Sequence, residues 1–134
     1  MATATAQEVI ERAARRINVL AAEEALSANE MTDCLQIMND MMFNFTAKGI
    51  QYVHVQLAQS DTVNVPDEQV RNVILMLCDD LADDFGMPVS VDMREDIRQA
   101  RQELQNCYMV INPAVPDKAV RSRRLGYYNW RSGA

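Results

Sequence analysis

The sequence predicts an all-α fold: an antiparallel four-helix bundle with a small β-hairpin between helices 2 and 3 and an extended C-terminal tail. Three observations carry this. Apolar residues recur at steps of three and four in four separate windows. Two of those windows open on a capping box, the Ser/Thr-x-x-Glu pattern whose two residues satisfy each other's backbone donors. Between the second and third windows the period switches to strict alternation, the signature of a strand. The chain has 134 residues, 49% hydrophobic and 24% charged, which fits one globular domain long enough to bury a core.

In chain order, Thr5 and Glu8 form the first capping box, and Val9, Ile10, Ala13, Ala14, Ile17 and Leu20 follow at helical spacing, so a first helix is expected from about Ala6 to Leu20. Ser27 and Glu30 open a second helix with the stripe Met31, Cys34, Leu35, Met38, Met41, Met42 and Phe45. Gly49 is its expected C-cap, since glycine takes a left-handed conformation without steric cost. On this spacing the methionines of "MNDMMFNFTAKGI" are core filling between helices.

Residues 51–65 then read as the hairpin. "QYVHVQL" sets Tyr52, His54 and Gln56 against Val53, Val55 and Leu57, a turn falls at Gln59-Ser60-Asp61, and "DTVNVP" resumes the alternation. A lone hairpin is marginal in water, so it is expected to lean on the helices or on a neighbouring chain. Pro66 and Asp67 open a third helix carrying Val70, Val73, Ile74, Leu77, Leu81 and Phe85 and ending at Gly86. A fourth starts near Ser90, carries Met93, Ile97, Ala100, Leu104, Cys107 and Tyr108, and ends before Asn112-Pro113. Residues 1–111 are thus one helical domain and residues 112–134 a tail without periodicity, rich in arginine and aromatic residues, expected to order on a partner.

Charge is divided between the two parts. Lys118, Arg121, Arg123, Arg124 and Arg131 against Asp117 give residues 113–134 a net of +4, which leaves −10 on residues 1–112 of the total −6. An asymmetry of that kind points to partners rather than to fold. No run reaches the roughly 18 apolar residues of a membrane span. The N-terminal stretch has no apolar core after a basic start, so the chain is expected to be made inside a cell without a secretory signal. Cys34, Cys78 and Cys107 are dispersed along helical stripes and read as buried free thiols rather than as disulfides or metal ligands.

Catalytic chemistry finds little support. His54, the single histidine, lies in a short strand with no nucleophile beside it, and alternation opposite the valines reads it as exposed. "CDDLADDF" places Asp79 and Asp83, and Asp80 and Asp84, one helical turn apart. A hydrolase, for instance one acting on cell walls, could in principle use such carboxylates, but no substrate pocket is signalled. No enzyme activity, metal or cofactor is therefore expected. Like charges at that spacing repel, and acids near a helix C-terminus oppose its dipole. Compensation from outside the helix is available in Arg12, Arg15 and Arg16 of the first helix and Arg94, Arg98 and Arg101 of the fourth. The pattern suggests acidic and basic faces of adjacent copies meeting in a closed ring.

"RSRRLGYYNWR" interleaves arginines with Tyr127, Tyr128 and Trp130. These types stack on bases and neutralise phosphates, and they are equally the types that anchor protein interfaces. The acidic body favours a protein partner; a small DNA-binding accessory protein using the basic aromatic tail is the alternative.

The order of these parts resembles the head-to-tail adaptor proteins of tailed bacteriophages, the head-completion, packaged-DNA stabilisation or tail accessory factor family of short-tailed phages. "VIERAARRINVL" looks like that family's opening helix, "LSANEMTDCLQIMNDMMFNF" like its acidic-capped second helix and "KGI" like its glycine-terminated exit, with a looser likeness through "VRNVILMLCDDLADDFGMPVSVDMREDIRQARQEL". Asn18 stands where the family often turns on glycine, and Phe45 near where an aromatic, often tryptophan, is usual. The resemblance implies a dodecameric ring made in the host cytoplasm and placed at the head–tail junction of the virion. Its partners would be the portal protein above, the tail tube or nozzle protein below, and further copies of itself. The tail from Asn112 to Ala134 would reach the portal with Arg121, Arg123, Arg124, Tyr127, Tyr128 and Trp130 as anchors. Packaged DNA would pass an acidic channel without specific binding.

Overall fold

The structure, a computed structural model, describes residues 4–21 and 23–109. It is helical, with α1 (Ala6–Arg16), α2 (Ala28–Phe43), α3 (Asp67–Phe85) and α4 (Val91–Cys107). Both capping boxes form. The Thr5 hydroxyl accepts from the Glu8 amide at 3.3 Å while the Glu8 carboxylate accepts from the Thr5 amide at 3.1 Å. Ser27 and Glu30 repeat the exchange at 3.3 and 3.0 Å. Each satisfies two of the donors that a helix start leaves open.

Helix α1 ends four residues before the expected Leu20. Asn18, at φ +62°, reverses the chain, its amide donating to the Arg15 carbonyl (3.1 Å) and the Val19 amide to Ala14 (3.0 Å). These are the paired bonds of a Schellman stop, in which asparagine stands in for the usual glycine. Glycine does close α3, where Gly86 sits at φ +65° and the Met87 amide reaches Ala82 (2.9 Å). Helix α2 likewise ends early, at Phe43, and residues 44–49 continue as a turn in which Phe45 is fully buried.

Helix α3 is the spine. Asn72 to Cys78 are consecutively buried, an all-round burial that requires neighbours on every side. Helices α1, α2 and α4 all pack on it, and α1 also meets α2. The methionines take their expected place, with Met31, Met38, Met41 and Met42 in the core beside Val9, Ile10, Ala13 and Leu81. Helix α4 packs on α3 alone and buries only Ala100 and Leu104. Cys107 is consequently exposed, against the expectation of three buried thiols, whereas Cys34 and Cys78 are buried as read.

The expected hairpin at 51–65 is not formed. Among the described residues there is no strand, only an isolated antiparallel bridge between Thr5 and Thr62. The predicted turn at Gln59–Asp61 is present, but the flanking segments turn their backbone bonds elsewhere. The Ala6 amide donates to the Asp61 carbonyl (2.9 Å), the Val63 amide to Ala4 (3.0 Å), and Leu57 bonds to the side chain of Asn39. Alternation was the correct reading of residues 52–55 but the buried face is the opposite one. His54 is 9% exposed and Tyr52 is buried, while Val53 and Val55 face outward. The rings explain the choice: Tyr52 lies edge-on to Phe45 (6.0 Å) and Tyr108 (5.4 Å), and His54 edge-on to Phe43 (4.6 Å). Burying rings gains more area than burying two valines.

Candidate functional site

Two surfaces stand out. The first is a cleft of about 360 Å³ lined by Lys48, Met76, Asp79, Arg94, Ile97, Arg98 and Arg101. The spacing of Arg94, Arg98 and Arg101 puts them on one face of α4, and Lys48 is held against that helix by its own carbonyl, which accepts from Gln105 Nε2 at 2.7 Å. Arg98 is tied to Glu95 by two bonds of 3.0 and 2.6 Å on the same exposed face. Arg94 and Arg101 have no ion pair among the described residues. The cleft therefore gathers four cations around one acid, Asp79.

The aspartate cluster is split by the fold. Asp79 joins the arginines. Asp80 is half-buried; burial raises its carboxyl pKa, with Asp79 and Asp83 adding to the rise and Lys48 opposing it. Asp83 and Asp84 are exposed, and Asp84 lies on the side shared with Glu30 and Asp33 of α2. Those three acids, after burial, hold the Cys34 thiol up at about 11. None of the four aspartates forms an ion pair with a described residue. The first-helix arginines are separate from the cleft. Arg12 is exposed, Arg15 meets Glu11 (3.8 Å) and donates to the Glu24 carbonyl (3.4 Å), and Arg16 meets Asp96 of α4 at 3.9 Å. Arg16 and Asp96 are each more than a third exposed, so their pairing is worth on the order of 1 kcal/mol at most.

The second surface is a groove of about 690 Å³ between segments 51–53 and 62–66, with Tyr108 in its wall. Asn39 fixes the chain just beyond the first of these segments. Buried on α2, its Nδ2 donates to the Leu57 carbonyl (3.1 Å) while its Oδ1 accepts from the Leu57 amide (2.9 Å) and lies 2.8 Å from His54 Nε2. The two Leu57 bonds fix the amide's orientation, so His54 must donate from Nε2 and Nδ1 is the bare nitrogen. Nδ1 is buried with no partner among the described residues, and burial lowers the imidazole pKa from its ordinary 6.5. The ring thus ties residue 54 to α2.

Lys48, Glu30, Asp33 and Asn39 are absent from the sequence-based candidates. Only Asn39, a polar residue beside an apolar stripe, carried a local signal. The tail candidates Arg121, Arg123, Arg124, Tyr127, Tyr128 and Trp130 lie outside the described residues. Among the described residues no group of three or more His, Cys, Asp or Glu could hold a metal, and no helix is long and apolar enough to cross a membrane. Comparison with known proteins finds no matching family model, curated protein or solved structure.

Proposed function

We propose that the chain is a structural virion protein, a head-to-tail adaptor. Its copies form a ring that docks under the portal, closes the DNA-filled head and connects it to the tail. The helices are read as an antiparallel bundle serving as the ring's building block. One observation carries the reading: unpaired charge of opposite sign is sorted onto different surfaces of one chain. Asp83 and Asp84, with Glu30 and Asp33, are exposed without cationic partners among the described residues, and Arg94 and Arg101 line a cleft without anionic ones. A head-to-tail contact between copies pairs the two surfaces and leaves each copy ready for the next, which is the arrangement that closes into a ring. The tail, with its arginines, tyrosines and tryptophan, is the portal anchor, and the −10 body lets DNA slide by offering few phosphate contacts.

The test is the native mass of the full chain and of a form truncated after Ile111, each alone and mixed with portal rings of the same phage. Binding of twelve copies by the full chain and not by the truncated form supports the adaptor. A monomer that ignores portal overturns it. The second reading, a DNA-binding accessory protein, draws on the four cations of the cleft as well as on the tail. It requires binding to duplex DNA that weakens steeply with salt, the mark of phosphate contacts.

A further inference from the structure

The groove between residues 51–53 and 62–66 has unpaired backbone amides on both of its walls. Both sequences alternate and Thr62 bridges to Thr5, yet the two segments do not pair with each other. On the first wall the amides of Gln51 and Val53, and on the second those of Thr62 and Asn64, have no hydrogen bond among the described residues. The odd-numbered carbonyl of Asp61 and amide of Val63 are turned to the start of α1, so Thr62 and Asn64 present theirs to the opposite edge. Neither wall is loose. Asn39 clamps Leu57 and His54, the Tyr52 ring is seated between Phe45 and Tyr108, and Val63 and Val65 are buried.

Sheet edges of this kind are normally blunted by lysine, proline or a bulge. Residues 51–58 carry none of the first two, and instead expose Val53 at 87% and Val55 at 74%. Rigid, unpaired backbone beside outward valines is the surface that accepts an added strand.

We propose that this groove is a strand-acceptor slot and that its occupant is the chain's own segment beginning at Val110, the root of the C-terminal tail. Position favours this occupant. Tyr108 itself lines the groove, so Val110 is within about 7 Å of it along the chain. Val110 and Ile111 are β-branched and apolar, suited to a pleated, half-buried place beside Val53. Pro113 lacks an amide hydrogen and ends the pairing, which confines it to Val110–Asn112 and leaves Lys118 to Arg131 to project toward a partner. The slot then sets the direction in which the tail departs. This holds for a single copy and does not depend on ring formation.

The experiment is residue-resolved amide hydrogen exchange on the full chain, at a dilution where native mass reports one copy, beside the Val110→Pro/Ile111→Pro variant. Slowing of at least tenfold at Val53 and at Thr62 or Asn64 is expected, lost in the variant while Leu77 and Leu81 in α3 keep their protection. Exchange at unstructured rates at these positions in the full chain overturns the proposal, as does slowing that survives the prolines. Slowing that appears only on concentrating the sample gives the slot to a second copy and also overturns it.

Discussion

Asn39→Ala tests the connection between α2 and the extended segment. The asparagine is 2% exposed and is the partner of three groups: the amide and carbonyl of Leu57 and the Nε2 hydrogen of His54. Leu57 is only half-buried, so water reaches its backbone in the variant and the loss there is the net value of two neutral hydrogen bonds, about 1 kcal/mol each. His54 is worse placed. Its ring is buried, its Nδ1 already lacks a partner among the described residues, and the stranded Nε2 hydrogen adds about 1–3 kcal/mol. The expected loss is about 3–5 kcal/mol, a large share of the about 5–15 kcal/mol that holds a domain folded. Urea unfolding at pH 7.5 should show a lower midpoint at unchanged slope, near 2 M lower for a slope of about 2 kcal/mol/M. Asn29→Ala, on the exposed first turn of the same helix, should stay within about 0.5 kcal/mol. If Asn39→Ala cost less than about 1 kcal/mol, the side chain would not be the clamp, and the groove's first wall would need another support.

Two further outcomes follow from the same geometry. His54 is the only histidine and its pKa is lowered by burial, so between its folded pKa and the ordinary 6.5 the unfolded chain holds more protons than the folded one. Stability should therefore be nearly constant between about pH 7.5 and 8 and fall as the pH drops through 6.5, read by urea midpoints from pH 8 to 5.5; a flat profile would contradict the buried neutral imidazole. At the α1 stop, Asn18→Gly should stabilise by up to about 1 kcal/mol and Asn18→Val should destabilise by about 1–2 kcal/mol, since only a residue tolerant of φ +62° fits; equal melting temperatures for the two would refute this.

The helices were legible because their signals are local. Thr5 with Glu8, Ser27 with Glu30, and Gly86 act within one turn of the residues they cap, and three-and-four spacing picked out the buried stripes. Segment 51–65 shows where local reading stops. Period two says that residues alternate but not which set is buried. That was decided by the rings of Phe45 and Tyr108, which both meet Tyr52, Tyr108 from a distant part of the chain. Asn39 took the backbone bonds of Leu57, and the residues opening α1 took those of Asp61 and Val63, so the segments flanking the turn are tied to helices rather than to each other. Cys107 fits its stripe, yet a helix packed against a single other helix buries too narrow a face to include it. The charges were legible as a list and not as a pattern. Spacing grouped four aspartates, of which the fold sends Asp79 to the arginines of α4 and Asp84 to the acids of α2.

That division makes the end of α3 the sharpest test of ring assembly, because stability and assembly should respond with opposite signs. Asp83 and Asp84 lie in the last turn of a helix with no basic residue there, where each opposes the dipole by about 0.3–1 kcal/mol. The pairs Asp79–Asp83 and Asp80–Asp84 add a few tenths of a kcal/mol of repulsion apiece. A lone copy is therefore less stable by roughly 1–2 kcal/mol than one with lysines at these two positions. Asp83→Lys/Asp84→Lys should raise the melting temperature of the dilute chain and, if these acids seat against Arg94 and Arg101 of a neighbouring copy, should weaken the ring seen by native mass at the same time. Adding Arg94→Asp/Arg101→Asp should restore assembly by exchanging the signs. A more stable chain that assembles as before would make the acidic end of α3 a solvated face and remove it from the interface. A less stable one would mean that groups packed around Asp80 and Asp84 outweigh the helix dipole.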